Sequence, residues 1–105
     1  MTAYNVVRMK VKPGHEKEFT HLNNLVDPQL RENLRRNGLR RFSVIKTAER
    51  TYCIIGEWET FDGIVKSRSD LIKSLDSYRQ ILEDLGSGLG LTDPVSGEAV
   101  VDLKL

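Results

Sequence analysis

Cysteine, histidine, tryptophan and proline are all scarce in this 105-residue chain, and each scarcity excludes something. The lone cysteine, Cys53, cannot close an internal disulfide. That fits a reducing compartment, and a cytoplasmic location is the expectation. No Cys-His pair or Cys-x-x-Cys motif accompanies it, so it reads as a buried core side chain and not as a nucleophile. The two histidines, His15 and His21, do not stack on one helical face as a spacing of about four would allow, so no metal site is expected. No apolar run approaches the ~18 residues of a membrane span, and no membrane partner is expected. The opening MTAYNVVRMKVK lacks the basic-then-apolar order of a secretory signal. A net charge of +1 favours neither nucleic acid nor an acidic partner.

Charge is nevertheless uneven. Residues 1–50 carry 11 Lys/Arg against 5 Asp/Glu, whereas residues 51–105 carry 5 against 10, so the halves can complement one another within a subunit or across an interface. The basic run Arg31, Arg35, Arg36, Arg40 and Arg41 straddles a helix end and a strand start. It has no interleaved aromatics, and its cations meet a helix C-terminal dipole, which argues against nucleic acid.

The periodicities give the elements. Residues 4–12 alternate as a strand, with Val7, Met9 and Val11 on one face and Arg8, Lys10 and Lys12 on the other, until Pro13-Gly14 ends it. From His15 the period becomes helical, with Phe19, Leu22, Leu25 and Val26 on one side. Asp27-Pro28 starts a new helical turn or a kink, Leu30 and Leu34 continue the apolar side, and Asn37-Gly38 stops it. Leu39 to Thr47 is a second strand, joined through a short turn to a third, Thr51–Glu59. Thr60 caps a long helix through Phe61, Ile64, Val65, Leu71, Ile72 and Leu75. A bend at Ser74 or Asp76 leads into a continued stripe at Tyr78, Ile81, Leu82 and Leu85. Gly86, Gly88 and Gly90 follow a helix, the wrong context for a dinucleotide fingerprint, and read as a connector. Thr92–Gly97 reads as a loop, and Glu98–Leu105 as a fourth strand.

The order β-α-β-β-α-β implies one α+β domain over residues 1–105. Its solution is a ferredoxin-like, four-stranded antiparallel sheet with right-handed crossovers and both helices on one face. The stretch TYCIIGEWE is apolar on both faces: Tyr52, Ile54 and Trp58 point one way, Cys53 and Ile55 the other. One face is left open, and a second copy closing two sheets into a barrel would cover it.

Three stretches carry a resemblance: the first strand running into Lys12-Pro13-Gly14-His15-Glu16, the strand from Gly38 to Val44, and Glu57-Trp58-Glu59-Thr60 leading into the second helix. Together they resemble the antibiotic biosynthesis monooxygenase family of the dimeric α/β-barrel superfamily. The resemblance implies a homodimer with a cavity between sheet and helices. It also implies oxygenation of a small aromatic or polyketide-like substrate with no cofactor, the substrate itself reducing dioxygen. The alternative is a non-catalytic dimeric barrel that binds small molecules or serves stress response. One departure matters: many members carry a histidine on the second helix, whereas this chain offers Lys66, Ser67 and Arg68 there, and arginine is no base at neutral pH.

Four residues are pocket candidates. Trp58 is either a core anchor or a cavity wall with its indole N–H aimed at substrate. Tyr52 lies beside it on the same face. Arg8 either enters the barrel to hold an anion or is a solvated or paired strand charge. Arg68, with Ile64 and Leu71 on its helix face, either snorkels to solvent or lines the cavity. No residue is assigned as a general base.

Overall fold

The computed structural model describes residues 1–25 and 27–105; the expectation for Val26 lies outside the described residues. In order, the elements are β1 (Ala3–Val11), α1 (Glu16–Leu22), α2 (Pro28–Arg36), β2 (Leu39–Ala48) and β3 (Thr51–Trp58). There follow α3 (Phe61–Lys66), α4 (Arg68–Asp76), a 3-10 turn (Arg79–Ile81), β4 (Leu82–Glu83) and β5 (Asp93–Glu98). The sheet runs β2-β3-β1, with β4 and β5 both against the far edge of β1, and every pairing is antiparallel. The fold is α+β and ferredoxin-like, with its fourth strand in two pieces.

Strand alternation sets which face is covered. On β3, Tyr52, Ile54, Gly56 and Trp58 are buried under the helices, and the residues between them are half-buried on the other face. On β1 the covered face is Ala3, Asn5, Val7, Met9 and Val11. The core forms two clusters. One gathers Met9, Val11, Phe19, Tyr52, Ile54, Tyr78, Ile81 and Leu82. The other gathers Ala3, Leu34, Trp58 and Ile64. In the first, Phe19 sits 4.8 Å from Tyr52 and meets Tyr78 edge-on at 5.5 Å between ring centroids.

Several boundaries differ from the sequence expectation, each for a local reason. The first helix stops at Leu22: the Asn23 side chain bonds back to the Phe19 carbonyl at 2.9 Å and Asn24 to the Thr20 carbonyl at 3.0 Å. Such bonds compete with the helix ladder. Leu25 leaves the helix with φ +49 and packs on the second cluster. Asp27 then caps α2, accepting from the Gln29 and Leu30 amides, with Pro28 at the first helical position.

The long second helix breaks at Ser67, seven to nine residues before the bend expected at Ser74 or Asp76. Ser67 is fully buried and its hydroxyl accepts from Asn37 Nδ2 at 2.9 Å. Nearby, a Cβ on Gly63 would fall 2.1 Å from the Asn37 carbonyl oxygen. Helix α3 is therefore drawn onto the end of α2 closely enough to interrupt its own continuation.

Tyr78, Ile81 and Leu82 are buried as their spacing suggested, but they do not continue the α-helix: Ile81 closes the 3-10 turn and Leu82 opens β4. The Ser77 hydroxyl donates to the Ser74 carbonyl at 2.6 Å as α4 ends, and Leu82 then pairs with Val11 to form β4. The last strand is also displaced: Asp93–Glu98 pairs with β1, and residues 99–105 form none. Glu98 lies opposite Ala3, the first residue of β1, and one further bond, Ala99 N–H to the Thr2 carbonyl, ends the ladder. Beyond it no strand partner is found among the described residues, and Val100, Val101, Leu103 and Leu105 are left exposed.

The uncovered face of the sheet is apolar at its centre. Val6, Cys53 and Ile55 are half-buried there, and Ile45 and Val95 are exposed. Cys53 thus belongs to this face and not to the core beneath the helices.

Candidate functional site

Between the two core clusters, under the helices, lies a cavity of about 490 Å³. Its apolar walls include Met9, Ile54, Leu34 and Ile64, so it separates the clusters instead of lying in either. What gives it chemistry is a short set of polar groups: Asn5, Asn23, Arg68, Tyr78 and Arg79, with hydroxyls from Ser74, Thr92 and Ser96.

Asn5 is the polar interruption of an otherwise apolar strand face. A carboxamide placed there is costly unless hydrogen-bonded. The Trp58 indole N–H donates to Asn5 Oδ1 at 2.7 Å. Because an indole N–H can only donate, that bond fixes which way round the amide lies and leaves its NH2 for a ligand. Gly56, paired with Asn5 across the strands, makes the bond possible. A Cβ there would stand 2.2 Å from Asn5 Oδ1 and 2.8 Å from Trp58 Nε1.

Tyr78 is 3% exposed and its hydroxyl has no hydrogen-bond partner among the described residues. Burial pushes its pKa up to about 12, slightly offset by Arg79, so at neutral pH it is a donor and not a base. Asn23, 6% exposed, uses its NH2 on the Phe19 carbonyl and keeps its oxygen as an acceptor. Arg79 is tied to Asp76, whereas Arg68 makes no ion pair among the described residues. Among the described residues, no carboxylate, histidine, cysteine or lysine lines the cavity.

The four sequence candidates separate. Arg68 is exposed to solvent and also contributes to the cavity lining, so it stands at the rim and not inside the chamber. Trp58 is fully buried behind Asn5, and its N–H is committed to that side chain and not aimed at a ligand. Tyr52 is buried against Phe19, outside the lining. Arg8 is exposed on the opposite, open face, 3.4 Å from Asp93, because alternation along β1 sends residue 8 away from the helices. Of the other polar candidates on the second helical segment, Lys66 pairs with Asp62 at 3.0 Å and Ser67 is held by Asn37. His15 contacts Glu18 at 3.0 Å, and neither histidine lines the cavity.

Asn5, Asn23 and Tyr78 were not singled out as site residues from sequence. The available signal for Asn5 was its place on the face of Val7, Met9 and Val11. Its meaning needed the cross-strand register that sets it against Gly56 and beside Trp58.

No family model matches the chain, and no curated protein matches it. Solved structures do. A dimeric ferredoxin-like protein from an uncultured marine organism has 15% identity and a TM-score of 0.73, over 99% of this chain and 92% of its own. A Nitrosomonas europaea protein named for the antibiotic biosynthesis monooxygenases has 12% identity and a TM-score of 0.71, over 94% and 90%. SnoaB, a cofactor-independent oxygenase from Streptomyces nogalater, has 15% identity and a TM-score of 0.68, over 97% and 96%. The chain therefore has the antibiotic biosynthesis monooxygenase-like fold, at identities that carry the fold alone.

Proposed function

We propose that the protein is a cofactor-independent monooxygenase acting on a small, electron-rich aromatic or polyketide-like substrate bound in the cavity. The observation that carries this reading is the Asn5 carboxamide, oriented by Trp58, in an apolar chamber with the exposed Arg68 at its rim as the one lining cation without an ion pair among the described residues. Such a chamber favours a planar substrate and the anionic form of its carbonyl or phenol oxygen.

The chemistry that fits starts from a substrate methylene activated by an adjacent aryl carbonyl. Loss of one C–H proton to solvent gives a carbanion with its charge on the oxygen, where Asn5 N–H and Arg68 can stabilise it. The carbanion passes one electron to dioxygen, and the resulting radical pair joins to form a C–O bond. After protonation, the hydroperoxide loses its second C–H proton and breaks its O–O bond. The methylene plus O2 thus yields a carbonyl plus water. Because the cavity supplies no base, the substrate's own acidity must permit the first step.

Oxygen uptake with a panel of anthrones and quinols tests this. Wild type is expected to consume oxygen with at least one of them. Asn5→Ala or Arg68→Ala is expected to lower the rate on the order of 10²-fold, as loss of a donor to a developing oxyanion does. Trp58→Phe, which frees the amide to turn, is expected to follow Asn5→Ala. Binding without uptake above a buffer control favours the second reading, a dimeric small-molecule-binding protein without turnover. The absence of a titratable base from the lining is the observation that favours it.

In either case a second copy of the chain is the proposed partner. Val6, Cys53, Ile55, Ile45 and Val95 make a continuous apolar strip on the open face of the sheet. Charged pairs border it: Arg8 with Asp93, and Lys10 with Glu83. An apolar centre with a polar rim is the anatomy of an interface.

A further inference from the structure

We propose that the cavity opens into an adjoining anion site, so that its ligand is amphipathic: an apolar ring body in the cavity, joined to an anionic end held by arginines. This rests on the reading of the cavity as a ligand site. Beside it, between the helices α1 and α2 and the edge strand β2, lies a groove of about 630 Å³. Cavity and groove share Asn23, Leu25 and Phe42 in their walls, so the two spaces adjoin across those side chains. The groove is lined by Arg31, Arg35, Arg40 and Arg41 and, among the described residues, by no acidic one.

Two of those arginines are already neutralised. Arg35 donates to Glu32 at 2.7 Å, and that contact holds the Glu32 pKa down to about 2, so the pair stays ionised at neutral pH. Arg40 lies 4.0 Å from Glu59. Arg31 and Arg41 make no ion pair among the described residues. Arg31 sits one turn into α2, where the helix dipole does not favour a cation, so helix stability does not explain it. Asn23 stands at the junction, 94% buried (6% exposed), with its carbonyl oxygen unpartnered among the described residues. It can take a hydrogen bond from a hydroxyl where ring meets tail. A carboxylate and a phosphate monoester share the chemistry that guanidinium pairs recognise.

Calorimetric titration with three probes of one skeleton tests this: 6-(2-naphthyl)hexanoate, 6-(2-naphthyl)hexyl phosphate and the neutral 6-(2-naphthyl)hexanol. At low salt at least one anion is expected to bind about tenfold tighter than the alcohol, with the gain shrinking as salt is raised. Which anion gains more identifies the class of headgroup. In the double variant Arg31→Gln/Arg41→Gln that gain is expected to vanish while the alcohol binds as before. A gain that survives the double variant, or that disappears in Arg68→Gln instead, places the anion at the cavity mouth and overturns the groove assignment. If the alcohol binds and neither anion gains, the groove assignment falls alone. If the alcohol does not bind at all, the cavity reading falls and takes this inference with it.

Discussion

The smallest residue in the site governs its most specific hydrogen bond. Gly56 has ordinary extended backbone, so conformational freedom is not its role; space is. Any side chain there enters the volume shared by Asn5 Oδ1 and Trp58 Nε1. Gly56→Ala is therefore expected to destabilise the fold by about 2–3 kcal/mol, through overpacking and the loss of a buried hydrogen bond. Thermal or urea melts measure it; a variant as stable as wild type would remove Gly56 from this account. From sequence this residue was one glycine in a strand. That Tyr52 and Trp58 share one face is legible in sequence because strand alternation needs only their spacing; that this face is the one under the helices is not. Their partners were not legible, since Asn5 and Trp58 are far apart in the chain and meet only through the register of β1 on β3.

At the scale of elements, boundaries set by a cap or a glycine stop next to them in sequence are the legible ones. Asp27-Pro28 is a cap followed by a fixed φ, and α2 begins there. Asn37-Gly38 ends it, with Gly38 at φ +102. Asp27→Ala removes an acceptor for two orphan amides at once and is expected to cost about 1 kcal/mol, read as a lowered urea midpoint with an unchanged slope. No loss on substitution would mean that Pro28 alone starts the helix. Boundaries decided by tertiary contacts are not legible in the same way. Ser67 breaks a helix because Asn37 draws it in, a contact spanning thirty residues. Residues 78–82 match a helical stripe, yet they become a turn and a strand because the end of β1 needs an edge partner. Val101 and Leu103 alternate as a strand should, but alternation does not provide a neighbour to pair with.

For the molecule as a whole, the sheet is covered on one side only. The double-sided apolarity of β3 was visible at once in TYCIIGEWE, because a strand carrying Ile54 and Ile55 on opposite faces has no polar face at its centre. The exposed apolar tail after Glu98 adds to the same imbalance. Sedimentation is expected to show a dimer at micromolar concentration, and Ile55→Asp, which puts a charge in the middle of the strip, is expected to give monomers that stay folded. A wild-type monomer across that range would leave the open face without the proposed partner.

The bond between Trp58 and Asn5 has one more consequence. Trp58 is the only indole in the chain, and its N–H ends on a side chain that lines the cavity. Its emission therefore comes from a single, fully buried site coupled to the cavity wall. Filling the chamber changes the polarity around Asn5, and displacing Asn5 changes the hydrogen bond that the excited indole feels. If the proposed ligand enters the chamber, the protein carries an intrinsic optical gauge of that occupancy, readable without a label.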